Sequence, residues 1–358
     1  MKKLIVKTLA VGLPAAILLV AGCGGGSSND QSSAASISYA TLNPPETTST
    51  GGVGLTGIRG VDNSTDVYIT GSLTSNGATT DQLYKGPILG GGSYYTMNYP
   101  SASGATVKST TAYSVDNLAG GNVSVTGTYS TTQSGNLRGY LYQGPVINNP
   151  TSGWMALDYP GAENTNPHSV MGDLVVGGYY TPGDTLVKAF IYQVSTGSIR
   201  QFKVFDDDIS TTAYGVWWNG GNSYTIVGGF AGLGIAGKGY ILDYDISTGV
   251  KSNITVYSYN NAPTIVTHFE GITLDDSGGY NLAATGTNAS GANAAFLHVK
   301  RLSTGGYTVD PKWITVKYPN STTTTSDTVY KNYLLGVYSP GPAALNGYVA
   351  TIPVSLYK

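Results

Sequence analysis

Short apolar stretches alternate with polar, glycine-rich segments from residue 37 onward. The most regular stretch is a strand-like segment of four or five residues that ends in glycine. It recurs six times, ending at Gly71, Gly127, Gly177, Gly228, Gly286 and Gly336. Successive glycines are 56, 50, 51, 58 and 50 residues apart. Such a period indicates a repeat architecture in which each unit packs on its neighbours.

Each repeat contains four short apolar stretches. One precedes the glycine strand, another follows it, as at Gly139-Tyr140-Leu141, and a third often closes on Tyr-Pro, as at Tyr159-Pro160. Proline after a strand removes a ladder donor and ends the pairing. No long helical period is present, and four strands per unit are typical of the blades of a β-propeller. We therefore expect an all-β fold.

The number of units predicts a six-bladed β-propeller of four-stranded antiparallel blades, forming a single domain over residues 37–358. The sixth unit reaches Lys358 after its third strand, while residues 38–44 resemble the strand that ends in Tyr-Pro elsewhere. We expect this N-terminal strand to pair with the last blade, which would close the ring and protect two sheet edges. Other blade counts, or a pair of β-sandwiches, stay open on the pattern alone.

The first 22 residues have the pattern of a signal peptide rather than of a folded element. Lys2, Lys3 and Lys7 precede an apolar run over residues 9–22, which is shorter than the roughly 20 residues that a spanning helix needs. The run ends in Leu19-Val20-Ala21-Gly22-Cys23, which resembles the lipobox of bacterial lipoproteins. That resemblance implies cleavage before Cys23 and lipidation of its sulfur and new amino group. A chance cysteine after an ordinary signal peptide is the alternative.

The segment after the cleavage site predicts a tether. Residues 23–36 are rich in Gly and Ser and cannot bury a core, so we expect a flexible linker between lipid and domain. The expected location is the bacterial cell envelope. Gly24 stands where enteric-type bacteria carry an Asp as an inner-membrane retention signal, which favours the outer membrane. Cys23 is the only cysteine, so no disulfide is expected.

Charge and composition limit the partners. Removing the three leader lysines takes the formal net charge from −2 to −5, and nucleic-acid binding is not expected because phosphate backbones need clustered Lys and Arg. The 28 tyrosines against 6 phenylalanines favour half-wet β surfaces. We expect a monomer whose partners are the membrane, through its lipid, and a glycan or a protein.

One unit resembles a known extracellular repeat. The segment Met155-Ala156-Leu157-Asp158-Tyr159-Pro160-Gly161-Ala162, followed by Thr165 and Ser169-Val170, resembles the repeats called HAF, as does Gly139-Tyr140-Leu141-Tyr142. Units three and four depart from that pattern because they lack Tyr-Pro. The resemblance implies a secreted, propeller-like repeat protein and implies no activity.

The candidate ligand-binding residues are those expected at the mouth of a central funnel. Aligning the units on a Gly/Ser–Val/Ile pair selects one residue per unit beside the innermost strand. These residues are Arg59, Tyr113, His168, Tyr214, Glu270 and Tyr330. Polar tips and aromatic rings at one mouth suit a sugar or another small polar ligand. Tyrosines that only pack between blades are the alternative.

No catalytic constellation stands out, so a binding or scaffold module is the first hypothesis and a purely structural repeat protein is a third. A glycan-active hydrolase or lyase using Glu270, His168 and Arg59 is the enzymatic alternative. The run Asp206, Asp207 and Asp208 predicts either a solvated loop or a weak Ca²⁺ site. Trp217 and Trp218 are candidate exposed anchors or core residues.

Overall fold

The computed structural model describes residues 35–45, 51–75, 78–101, 106–131, 135–234, 236–289, 291–341 and 344–358. The predicted signal peptide (1–22), Cys23 and the linker as far as residue 34 lie outside the described residues. Within those ranges, no helix combines the length and the apolar character needed to cross a bilayer.

Strands dominate the described ranges. The first two repeats and the strand before them contain β1 (Ser38–Thr41), β2 (Gly52–Gly60), β3 (Val67–Ser75), β4 (Ala78–Gly86), β5 (Ser93–Thr96), β6 (Val107–Leu118), β7 (Asn122–Thr131), β8 (Arg138–Pro145) and β9 (Trp154–Ala156). The third and fourth contain β10 (Asn164–Met171), β11 (Leu174–Tyr180), β12 (Lys188–Gln193), β13 (Ser198–Phe202), β14 (Ser210–Trp218), β15 (Ser223–Ala231), β16 (Lys238–Asp245) and β17 (Lys251–Tyr257). The last two contain β18 (Val266–Leu274), β19 (Tyr280–Asn288), β20 (Gly291–Val299), β21 (Trp313–Val316), β22 (Thr323–Thr324), β23 (Thr328–Tyr330), β24 (Tyr333–Gly341) and β25 (Ala344–Thr351). Short 3-10 helices lie at Ala119–Gly121, Tyr259–Asn261 and Val354–Leu356.

The strands pair within repeats. Three sheets of four antiparallel strands comprise β10–β13, β14–β17 and β18–β21, each in chain order. The remaining strands form a 13-stranded sheet, but single parallel residue pairs, Gly52 with Leu345 and Thr79 with Ser109, join its parts. These parts are β2–β5, β6–β9 and a last group around β24 and β25. The prediction of an all-β fold built from four-stranded antiparallel sheets is confirmed.

The start of the described chain pairs with its end. Strand β1 lies antiparallel to β25, with Thr41 opposite Tyr348. The Leu42 N–H continues the ladder by donating to the Gly347 carbonyl at 2.9 Å. Strands β22 and β23 both pair with β24, which pairs with β25. Strand β1 therefore occupies the outer position that β5, β9, β13, β17 and β21 hold in the other groups.

Apolar cores lie between consecutive sheets. Each buried cluster combines side chains from two neighbouring groups, as Val176 and Ile226 do between the third and fourth. One cluster joins the last group to the first through Leu335 and Val53. Because both faces of a sheet are covered, buried residues run consecutively instead of alternating, as in residues 174–179.

The first strands of the groups lie beside one another. Strand β2 contacts β6, β6 contacts β10, β10 contacts β14, β14 contacts β18, β18 contacts β23, and β23 contacts β2. We call these six strands the inner strands. They bring residues that are far apart in sequence to a common centre.

Backbone crowding against the inner strands explains the recurring glycine. A Cβ atom at five of the six positions would lie 2.0 to 2.3 Å from a carbonyl oxygen of the adjacent inner strand or, for Gly336, of Thr325 before that strand, closer than real Cβ contacts allow; these positions are Gly71, Gly127, Gly177, Gly228 and Gly336. Gly286 instead faces the Tyr259 ring, at 2.4 Å. Ala284 takes the equivalent position in that unit, because it pairs with Phe269 as Gly228 pairs with Ala213. The alignment on Gly286 was therefore wrong by two residues.

Candidate functional site

A bulge in each of five inner strands aims one residue out of the ladder. The pairing register skips one residue in β2, β6, β10, β14 and β18, and the skipped residues are Thr56, Tyr113, His168, Tyr214 and Glu270. In the last group, Asp327 precedes β23, and its N–H donates at 2.8 Å to the carbonyl of Leu335, the partner of Thr328. Bulges of this kind re-aim side chains next to functional sites. We call these six positions the bulge level.

Four of the six sequence-predicted residues occupy the bulge level, whereas Arg59 and Tyr330 lie three residues further along their strands. The alignment used Gly60-Val61 in the first unit, but the register makes Gly57-Ile58 the equivalent pair. Sequence reasoning therefore missed Thr56, although the Gly57-Ile58 pair could have revealed it. It also missed Asp327, because Thr328-Val329 does not fit the Gly/Ser–Val/Ile pattern.

Three aromatic side chains of the bulge level stack on one another. The ring centroids of Tyr113 and His168 are 4.6 Å apart at 18°, and those of His168 and Tyr214 are 3.6 Å apart at 10°. Tyr214 also contacts His268, with 4.5 Å between centroids. Since His168 is covered on both faces, a ligand would reach it along its polar edge. The stack therefore forms one wall of the site.

His168 is a neutral member of this wall. Burial lowers its pKa to about 4, although the nearby charge of Glu270 opposes that shift. At neutral pH the imidazole therefore has one N–H donor and one acceptor nitrogen. It can therefore donate a hydrogen bond to one hydroxyl group and accept one from another.

Glu270 lies against a second histidine. The distance from its Oε1 to His268 Nδ1 is 3.1 Å, and the other ring nitrogen of His268 contacts the Thr212 hydroxyl. Burial alone would raise the pKa of Glu270, but interactions with His268 and His168 and a hydrogen bond from Thr285 bring it below its usual value. Glu270 is therefore ionised at neutral pH.

Asp327 is the second carboxyl group of the bulge level. Burial, reinforced by the charge of Glu270, raises its pKa to about 7, while the Thr325 hydroxyl donates to its Oδ2 at 3.0 Å. Two carboxyl groups with separated pKa values can divide the roles of proton donor and anion. Strongly shifted pKa values in one cleft are typical of functional sites.

The level that contains Arg59 holds a buried ion pair. Arg59 Nε lies 3.4 Å from Asp116 Oδ1, and Arg59 is 8% exposed. Burial lowers the pKa of Arg59 and raises that of Asp116, opposing their attraction. The guanidinium carbon lies 5.0 Å from the centroid of the Trp217 ring. Because β2 and β14 are not neighbouring inner strands, this contact joins two strands that do not lie side by side.

The remaining candidates lie away from the bulge level. Asp208 is turned into its own loop, where it accepts the N–H groups of Val204 and Phe205 at 2.9 and 3.0 Å. Across the described ranges, no group of three or more His, Cys, Asp or Glu is arranged to hold a metal ion. Trp217 packs against a core cluster, whereas Trp218 is 44% exposed.

A separate surface pocket of about 270 Å³ lies near Arg138. The guanidinium there already pairs with Asp158. The residues that line this pocket lie outside the inner strands, so the pocket is separate from the bulge level.

Comparison with known proteins supports a propeller-like, all-β class. The chain is similar to a luciferin-regenerating enzyme, with a TM-score of 0.53 and 12% identity over 90% of this chain and 97% of the other. It is also similar to an oligogalacturonate lyase solved with manganese, with a TM-score of 0.45 and 10% identity over 90% and 98%. An endo-arabinase from Bacteroides thetaiotaomicron matches with a TM-score of 0.40 and 10% identity over 83% and 93%. At 12% identity the likeness to the luciferin-regenerating enzyme is one of fold. No protein-family model and no curated protein matches the chain.

Proposed function

We propose that this protein is a lipid-anchored β-propeller of the bacterial cell envelope that binds a small polar ligand, such as a sugar, at the bulge level. The propeller would have six blades, closed by pairing of β1 with β25. The circuit of contacts among the inner strands and the core cluster between the last and first groups support this closure.

The convergence of polar groups at the bulge level is the observation that carries the binding proposal. Packing between sheets needs apolar or small residues, yet bulges deliver Tyr113, His168, Tyr214 and Glu270 to one level, and Asp327 joins them just before β23. All five side chains are only half-buried, so they keep surface for a ligand. Their hydroxyl, imidazole and carboxyl groups can satisfy the hydroxyls of a sugar, the usual basis of orientation in such sites.

A glycan array probed with the full chain in detergent tests this function. We expect binding to at least one glycan, lost in Glu270→Gln and His168→Ala. Glu163→Gln is the matched control, because Glu163 is an exposed glutamate that precedes β10, five residues before His168 in the sequence. Binding that survives both central substitutions, or an array without any signal, would contradict the proposal.

A glycan-active hydrolase or lyase is the second candidate, and the separated pKa values of Glu270 and Asp327 favour it. In this function Asp327 would donate a proton and Glu270 would act as the anion or base. Arg59, paired with Asp116, would take no part. New reducing ends or unsaturated products, formed by wild type and absent with Glu270→Gln, would establish this activity; binding without product would exclude it for the glycans tested.

Lipid attachment at Cys23 remains a proposal supported by the lipobox resemblance. Metabolic labelling with a palmitate analogue should mark the wild-type protein and leave Cys23→Ser unlabelled. Membrane fractionation of the same cells should place wild type in the outer membrane. Label retained by Cys23→Ser would contradict the proposed attachment.

A further inference from the structure

The charges of the bulge level are unbalanced. Glu270 is ionised, Asp327 adds a second carboxyl group, and His168 is neutral at pH 7. None of the six bulge-level positions carries Lys or Arg. The guanidinium of Arg59, on β2, already pairs with Asp116, and His268, whose Nδ1 lies 3.1 Å from Glu270 Oε1, is already in contact with that acid.

This imbalance has a cost that a ligand can relieve. Two carboxylates in a poorly solvated site repel each other, and the neighbouring charge of Glu270 is one reason that Asp327 holds its proton. A cationic group placed between them would gain charge-assisted hydrogen bonds and remove the repulsion. An anionic group would add a further negative charge beside the two acids, where His268 already contacts Glu270.

The hydrogen-bonding capacity of the opposite wall fits the same ligand. Neutral His168 offers an acceptor nitrogen, and the Tyr113 and Tyr214 oxygens also have lone pairs. An ammonium group carries three donors, while sugar hydroxyls both donate and accept. An amino sugar therefore matches both walls, whereas a uronate would bring its carboxylate toward the two acids.

We propose that the ligand of the bulge level carries a positively charged amine, as an amino sugar does. This inference rests on the proposed binding function and specifies its ligand class. It distinguishes an amine from a neutral sugar and from a sugar acid. The contacts that would select the amine are those to Glu270 and Asp327.

Three hexoses that differ in charge provide the test. Glucosamine, glucose and glucuronate are titrated into the full chain in detergent by isothermal calorimetry, with EDTA present throughout. We expect glucosamine to bind about tenfold or more tightly than glucose, because the amine makes charge-assisted hydrogen bonds. Glucuronate should bind more weakly than glucose. Glu270→Gln and Asp327→Asn should each weaken glucosamine about tenfold, and Glu163→Gln should not.

Each other outcome overturns a defined part of the argument. Equal binding of glucose and glucosamine, or preference for glucuronate, would overturn the inference about charge and leave the binding function standing. If none of the three hexoses binds, both the binding function and the preference for an amine are overturned for hexoses. Binding of calcium chloride that requires Glu270, without binding of glucosamine, would show that a metal ion supplies the charge and overturn the amine assignment.

Discussion

Replacing Asp327 with asparagine should stabilise the folded protein above pH 7. The pKa of this carboxyl group rises from 3.8 to about 7 in the folded state, a change of about 3 units at about 1.4 kcal/mol each. The full effect would be about 4 kcal/mol, and partial solvent screening reduces it to about 2 to 4 kcal/mol. Asparagine keeps an oxygen that can accept from Thr325 but cannot ionise.

The pH at which the stabilisation appears follows from proton linkage. Below about pH 4 Asp327 is protonated in both states, so the substitution should have little effect. Between about pH 4 and 7 the unfolded chain has lost the proton while the folded chain retains it. The free energy of unfolding contributed by Asp327 therefore falls as pH rises, and the loss is complete above about pH 7.

Urea unfolding of wild type and Asp327→Asn between pH 4 and 8 measures this difference. Asp81 also has a pKa raised by burial, to about 8, so wild type alone would give a combined slope and the comparison between variants isolates Asp327. Glu270→Gln should reduce the pKa of Asp327, because it removes the neighbouring negative charge. An exposed carboxyl, Asp206→Asn, is the matched control. A variant less stable than wild type at pH 8, or a difference independent of pH, would refute the reasoning.

Three further predictions test the fold around the site. Gly228→Ala should lower the free energy of unfolding by about 1–3 kcal/mol or more, because its Cβ would lie 2.1 Å from a carbonyl oxygen; Gly135→Ala, with no heavy atom within 4 Å, should change urea unfolding by less than about 0.5 kcal/mol. Arg59→Ala should lower the free energy of unfolding by about 3–5 kcal/mol, because it leaves the buried Asp116 without its cationic partner. Adding Asp116→Ala should restore part of that free energy. Strict additivity of the two single losses would contradict the pairing. A chain that begins at residue 46 lacks β1 and exposes the edge of β25, so size-exclusion chromatography should show aggregates. A chain that begins at residue 35 keeps β1 and should elute as a monomer. A monomeric shorter chain would contradict the role of β1.

The stability that the Asp327 carboxyl group costs the folded protein is relevant to function. The carboxyl group of Asp327 disfavours the folded state above pH 7, whereas an asparagine could accept from Thr325 without that cost. Proteins commonly keep such costs at functional sites, and stabilising substitutions there tend to impair activity. We therefore expect Asp327→Asn to gain stability and lose ligand affinity together.

The repeat was visible in the sequence because the same backbone contact recurs in the structure. A carbonyl oxygen near Gly71, Gly127, Gly177, Gly228 and Gly336 leaves no room for a Cβ atom, so these five units share glycine at this position. Local requirements of this type leave a residue signature. The fifth unit escaped correct alignment because Ala284 occupies that position there.

The bulges themselves left a weaker trace. A bulge shifts the register by one residue without requiring a particular residue type, so Tyr113, His168, Tyr214 and Glu270 were found through the Gly/Ser–Val/Ile pair beside them. In the first unit two such pairs lie three residues apart, and the choice between them depends on pairing with β3. Arg59 was therefore assigned to a level that the register gives to Thr56.

The sequence by itself determined an all-β chain of repeated four-stranded units and four of the side chains at the bulge level, because short apolar stretches and steric glycines act over a few residues. Only the tertiary structure decided that Tyr113, His168 and Tyr214 stack, that Arg59 reaches across to Trp217, and that Asp327 lies near Glu270. These relations join residues about 50 to 160 positions apart. They depend on which inner strands become neighbours, and the pKa values of the two acids depend in turn on the burial that this adjacency creates.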